Sequence, residues 1–97
     1  KKESLIVLEG FVTFLKENPG MKVEIHGHTD NVGNQNDNQN LSAERAYNVL
    51  GTVVSMGIDK SIILASKGFG AIKPIAPNDN ELGRAKNRRT EFLIISK

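Results

Sequence analysis

The sequence predicts an α+β domain, a mixed parallel and antiparallel sheet with helices packed on one face. Three observations predict it. Two segments repeat apolar residues at helical spacing. A strand–helix–strand run has a crossover long enough to make its strands parallel, with the usual right-handed connection. A final alternating segment must complete the sheet. The chain has 97 residues, enough for one domain and too few for two.

Ser4 to Asn18 reads as the first helix. Leu5, Leu8, Val12 and Leu15 recur at spacings of three and four, and Phe11 and Phe14 widen the stripe. Ser4 is the expected N-cap, and Asn18-Pro19-Gly20 stops the helix. Lys22 to Gly27 alternates, with Val23 and Ile25 on one face and Lys22, Glu24 and His26 on the other, as a half-buried strand does. Asn31 to Asn40 holds five Asn and two Gln against a single Val, which predicts an exposed loop. Its length suits a binding loop.

Leu41-Ser42 is then expected to open a second helix reaching about Met56. Ala46, Val49, Leu50 and Val53 form its buried stripe, and Gly57 ends it. After a tight turn at Ile58-Asp59-Lys60, Ser61 to Lys67 is the next strand. Its run Ile62-Ile63-Leu64 is of the kind buried in parallel sheets. A second long loop runs from Gly68 to Asn80, followed by a charged loop over Gly83–Arg89. Thr90 to Ser96 is the last strand, with apolar residues expected to meet apolar surroundings on both faces. The element order is α-β-α-β-β, without internal repeats.

Composition narrows the function. Hydrophobic residues make up 38% and charged residues 25%, as in ordinary globular domains. Thirteen basic residues face eleven acidic ones, a net charge of +2, too little to make the whole chain adhere to nucleic acid. Gly83–Arg89 is basic, but no aromatic side chains are interleaved to stack bases, so no nucleic-acid partner is expected. With no cysteine, disulfides, thiolate zinc sites and cysteine nucleophiles are excluded. No apolar run approaches the roughly 20 residues of a membrane helix.

Two constellations could carry chemistry. His26-x-His28-x-Asp30 places two imidazoles on one strand face and imitates the start of some zinc sites. A catalytic zinc needs three or four protein ligands, and the chain has only these two histidines. No metal or other cofactor is expected, and a zinc-dependent hydrolase is the enzymatic alternative. The second constellation is Asp30, Asn38, Ser42 and Arg45. With Ser42 as N-cap, Arg45 falls at N3, where the helix dipole disfavours a cation. Such a local violation marks a candidate site. Arg45 beside free backbone N–H groups would receive a carboxylate, and Asp30 at the strand end would receive an ammonium. A structural Asp30–Arg45 salt bridge explains the same residues equally well.

Gly27-His28-Thr29-Asp30-Asn31-Val32-Gly33, then Asn38, then Leu41-Ser42-Ala43-Glu44-Arg45-Ala46 resembles the signature of the OmpA-like C-terminal domain family. Gly57-Ile58, Gly68-Phe69-Gly70, Pro74, Asn78 and Gly83-Arg84-Ala85-Lys86-Asn87-Arg88-Arg89-Thr90-Glu91-Phe92 resemble its later landmarks. The resemblance implies a single domain over residues 1–97 with a β/α/β/α/β arrangement that lacks the family's first strand. It implies no enzymatic activity. It implies non-covalent binding of peptidoglycan through the diaminopimelate of the stem peptide. Asp30 would hold the ammonium and Arg45 the carboxylate. Thr29, Asn38, Leu41 and Ser42 would line the pocket, Arg88 would stand near it, and Arg89 would be structural. The parent protein would be associated with the outer membrane, on its periplasmic side, in a Gram-negative envelope. An envelope interaction domain without wall binding is the alternative, and homodimer formation is left open.

Overall fold

The computed structural model describes residues 2–96, with side chains from Leu8 onward. Helix α1 spans Lys2–Glu17, strand β1 Lys22–Gly27, helix α2 Gln35–Ser55, strand β2 Ile63–Gly68, helix α3 Glu81–Asn87 and strand β3 Thr90–Ser96. A single 3-10 turn over Lys60–Ile62 precedes β2, so that strand begins two residues later than the sequence suggests. Ser4 stands inside α1, not before it; its capping side chain and the Leu5 contact lie outside the described residues.

The sheet is mixed, in the order β2-β1-β3, with β1 parallel to β2 and antiparallel to β3. Its inner face is built on β1, where Val23 and Ile25 are fully buried. Val12 and Leu15 of α1 and Ala46 and Val53 of α2 join them in one core. Phe11 of α1 stacks on Phe92 of β3 with ring centroids 3.9 Å apart, and Phe92 pairs with Ile25 across the ladder. Both long helices therefore cover the same face.

Burial of the edges departs from the sequence pattern. β2 and β3 are edge strands, so each is covered less than a central strand would be. Of the run Ile62-Ile63-Leu64 only Ile63 is buried, and Leu64 is exposed. On β3, Ile94 and Ile95 are both about half exposed, at 48% and 46%. Phe14 on α1 also faces outward. The apolar pattern marked these residues as strand and helix formers, but one layer of helices does not cover all of them.

Two segments expected as loops are helical. α2 starts at Gln35, not Leu41, because Asn34 and Asp37 make a reciprocal cap. The Asn34 side chain accepts from the Asp37 N–H at 2.7 Å, and its amide donates to the Asp37 carboxylate at 2.8 Å. The cap is reciprocal through side chains, with an acidic residue at N3, where the helix dipole favours one. The basic run similarly holds α3, capped by Asn80 accepting from the Gly83 N–H at 2.8 Å. Asn87, fully buried, ties the preceding loop down by accepting from the Ile75 and Ala76 N–H groups and donating to the Ala76 carbonyl and Asn78.

α2 sits unusually close to the sheet. Gly27 and Gly68 pair across β1 and β2. A Cβ on Gly27 would collide with the Ser42 carbonyl oxygen, and one on Gly68 with the Ala43 backbone nitrogen. Gly51, in the middle of α2, has open space around it. Opposite outcomes are expected for the same substitution. Gly27→Ala forces the helix off the sheet and should cost about 1–3 kcal/mol, read as a lower urea midpoint. Gly51→Ala should stabilise by about 0.5–1 kcal/mol. Equal stability of Gly27→Ala and the parent would contradict the close packing.

Candidate functional site

The strand β1 delivers Thr29 and Asp30 just past its end, and backbone bonds hold them there. The His28 N–H donates to the Arg89 carbonyl at 2.9 Å, and the Thr29 N–H to the Gly70 carbonyl at 2.9 Å. Across from them runs one face of α2. Asn38, Leu41 and Arg45 are spaced by three and four, so they share a stripe. Together these residues line a pocket of about 470 Å³, completed by Val32 and by Glu81, Arg84 and Arg88 of the α3 region.

The sequence-expected residues Thr29, Asp30, Asn38, Leu41, Arg45 and Arg88 thus come together. Ser42 does not line the pocket. It is fully buried beneath the stripe, accepting from the Gly70 N–H at 2.8 Å and donating to the Gln39 carbonyl at 2.9 Å. It is also not a helix cap, and Arg45 is eleventh in the helix, not third. The expected helix-terminus receptor at Arg45 is therefore absent; the local violation that suggested it came from placing the helix start too late. Val32, Glu81 and Arg84 were missed. Reading Asn80 as a cap for the basic run would have put Glu81 and Arg84 on a helix next to Arg88.

The alternative reading of these residues, a structural Asp30–Arg45 salt bridge, is not what the structure shows. Asp30 pairs instead with Arg88, whose Nη1 donates to Oδ2 at 2.6 Å, while the Val32 N–H donates to Oδ1 at 3.0 Å. Arg88 Nη2 reaches Glu81 at 2.5 Å, and Arg84 stands 3.5 Å from the same residue. Burial alone would raise the Asp30 carboxyl, but Arg88 and the Val32 N–H outweigh it and hold it below its ordinary value. Glu81 is likewise held low, first by Arg88. The pocket walls carry two carboxylates and three guanidiniums. Among the described residues no carboxylate lies within ion-pair distance of Arg45.

The histidines are structural in their surroundings. His26 bonds Glu24 at 2.8 Å and His28 bonds Glu91 at 3.2 Å. Both rings pack around Phe69, with centroids 4.7 and 5.5 Å from it, and both histidines are buried. Burial, then the Arg89 charge, lowers the His28 imidazole despite Glu91. Among the described residues no three side chains form a metal-holding group. Arg89 bonds Glu91, the Asn87 carbonyl and the Lys73 carbonyl, fixing the loop beside β3.

Residues 1–88 match the OmpA family. The chain is 44% identical over 80 residues to the peptidoglycan-binding protein ArfA of Mycobacterium tuberculosis, covering 82% of this chain and 24% of that protein. It is 40% identical over 87 residues to outer membrane porin F of Pseudomonas fluorescens, covering 90% and 26%. The chain therefore spans about a quarter of the length of these relatives. Its fold is similar to the crystal structure of the peptidoglycan-associated lipoprotein from Burkholderia pseudomallei, with a TM-score of 0.88 at 26% identity, covering 97% of this chain and 79% of that one.

The geometry makes Arg88 the group that keeps Asp30 ionised. In Arg88→Ala the carboxyl stays buried with only the Val32 N–H and the Arg84 charge for support. Its pKa, followed through the carboxyl carbon resonance, should rise relative to the parent. An Asp30 that titrates as in the parent would show that Arg88 is not what holds it.

Proposed function

The chain belongs to the OmpA family, and from that premise we propose that it binds peptidoglycan non-covalently, through the diaminopimelate of the stem peptide, and so anchors an envelope protein to the cell wall. One observation carries the reading. A single pocket is lined by an ionised carboxylate, Asp30, and by a guanidinium, Arg45, that has no carboxylate partner among the described residues. The free end of diaminopimelate carries an ammonium and a carboxylate on one carbon. The ammonium meets Asp30, which keeps acceptor capacity beyond its bonds to Arg88 and Val32. The carboxylate meets Arg45, whose planar fork suits it. The spare guanidinium among the pocket charges explains why the ligand must bring a carboxylate and not only an amine.

Thr29 and Asn38 supply polar walls, while Leu41 and the exposed Val32 offer apolar contact to the methylene chain. Arg88 acts through Asp30 as a positioning residue and lines the pocket itself. Charge-assisted bonds contribute about 1.5–3 kcal/mol each, which suits modest affinity multiplied by avidity on a polymeric wall. No bond is made or broken, so the reading needs no nucleophile and no metal. The name of one relative, a peptidoglycan-binding protein, supports wall binding, and that of another, an outer membrane porin, supports a parent associated with the outer membrane; the reading puts this domain on the periplasmic side, in a Gram-negative envelope.

Calorimetric titration of the chain with meso-diaminopimelate tests this. Asp30→Asn and Arg45→Gln should each weaken binding at least tenfold, the equivalent of about 1.4 kcal/mol, with an unchanged circular dichroism spectrum. Arg45→Gln is the cleaner variant, since it breaks no internal ion pair among the described residues. Parent-like affinity in both variants would reject the site.

A further inference from the structure

At Asn38 the pocket adjoins a second cleft of about 210 Å³. It is lined by Asn31, Gly33, Gln35, Asn38, Ala71 and Ile72. Three carboxamides, a bare backbone segment and two apolar side chains make its walls, and none carries a charge. Asn38 lines both cavities.

Asn38 is the informative residue. It is 92% buried, with 8% of its surface exposed. Its amide Nδ2 donates to the Asp30 carbonyl at 3.4 Å, which directs Oδ1 the other way. Among the described residues no N–H or O–H donates to that oxygen. It faces Gly33, where a Cβ would stand 3.8 Å away. Gly33 has φ +89°, a conformation that suits glycine and keeps side-chain bulk out of the cleft. The oxygen opens onto the cleft as an acceptor free to take a donor there. The apolar side is supplied by Ile72, 64% exposed although it lines the cleft. A free carboxylate would meet an acceptor at Asn38 and no cation on any wall.

We propose that this second cleft receives an uncharged amide arm of the same ligand, its N–H donating to Asn38 Oδ1 and its alkyl end lying on Ile72 and Ala71. The inference rests on the peptidoglycan reading, because the main pocket fixes where the arm begins. Asn31 and Gln35 then face the amide carbonyl or neighbouring hydroxyls as adaptable donors. Two parts of the wall offer this chemistry, the peptide bond that follows diaminopimelate in the stem and the acetamide of the adjoining sugar.

Titration of the full chain with four probes decides the matter. They are free diaminopimelate, the stem tripeptide ending in diaminopimelate, that tripeptide extended by D-alaninamide, and that tripeptide carrying N-acetylmuramic acid. One of the two longer probes should bind about five- to tenfold tighter than the tripeptide, as one buried hydrogen bond with a small apolar contact gives. The D-alaninamide probe assigns the arm to the peptide and the muramyl probe to the sugar. The double variant Asn31→Ala/Ile72→Ala, which leaves the Asn38 bond in place, should shrink that gain while keeping parent affinity for free diaminopimelate. Binding of free diaminopimelate with no gain from either extension overturns this inference alone, as does a gain that is undiminished in the double variant. No binding of any probe overturns both this inference and the reading beneath it.

Discussion

The close seating of α2 on the Gly27–Gly68 pair is the constraint on which the pocket depends. With no Cβ between them, the helix backbone at Ser42 and Ala43 rests directly on the strand ends. Ser42 then works as a fastener, linking the helix through its hydroxyl to Gly70 in the loop after β2. The loop in turn holds Thr29 through the Gly70 carbonyl. Helix face, strand end and loop are thereby fixed to one another before any ligand arrives, which is the preorganisation that small polar sites require. The stripe Asn38-Leu41-Arg45 faces the end of β1 because the neighbouring stripe through Ser42, Ala46 and Val53 is committed to the core.

The charges follow from that frame. A carboxylate at Asp30 is shielded from water, and its burial opposes ionisation. Arg88 and the Val32 N–H reverse the balance, and Glu81 keeps Arg88 in place from the other side. The arrangement leaves Asp30 ionised but not used up, and leaves Arg45 across the pocket as the cation that nothing in the described chain neutralises. A domain selected only for stability gains little from such a guanidinium. A domain that must admit a ligand with both charges needs both groups at one cavity, and Asp30 and Arg45 line one pocket of about 470 Å³.

Periodicity gave the central elements well. Lys22–Gly27 and Thr90–Ser96 read as strands from their alternation, and Val12, Leu15, Ala46 and Val53 as core from helical spacing, because burial on one face imposes those periods. What depended on capping was misread. Five Asn in ten residues look like a loop by composition, yet Asn34 with Asp37 starts a helix there, and the residues after them need only be tolerated by it. The same blindness hid α3 behind a run of basic residues, and with it Glu81 and Arg84. The Asp30–Arg45 pair was selected partly by a false premise, a helix start at Ser42. Arg45 lines the pocket because helical spacing, not the dipole, carries it there. Ser42 belonged to the same sequence motif for a different reason, since its contribution is to the joint and not to the lining.

The central claim is that two opposite charges on one ligand carbon are held by Asp30 and Arg45 together. The most direct measurement compares two stem peptides that differ only at the third residue, diaminopimelate in one and lysine in the other. Lysine keeps the ammonium and lacks the carboxylate. The account predicts that the lysine peptide binds at least tenfold more weakly to the parent chain, as the loss of one charge-assisted bond requires, and that Arg45→Gln erases the difference. Equal affinity for the two peptides would show that Arg45 reads no carboxylate, and the account would be wrong.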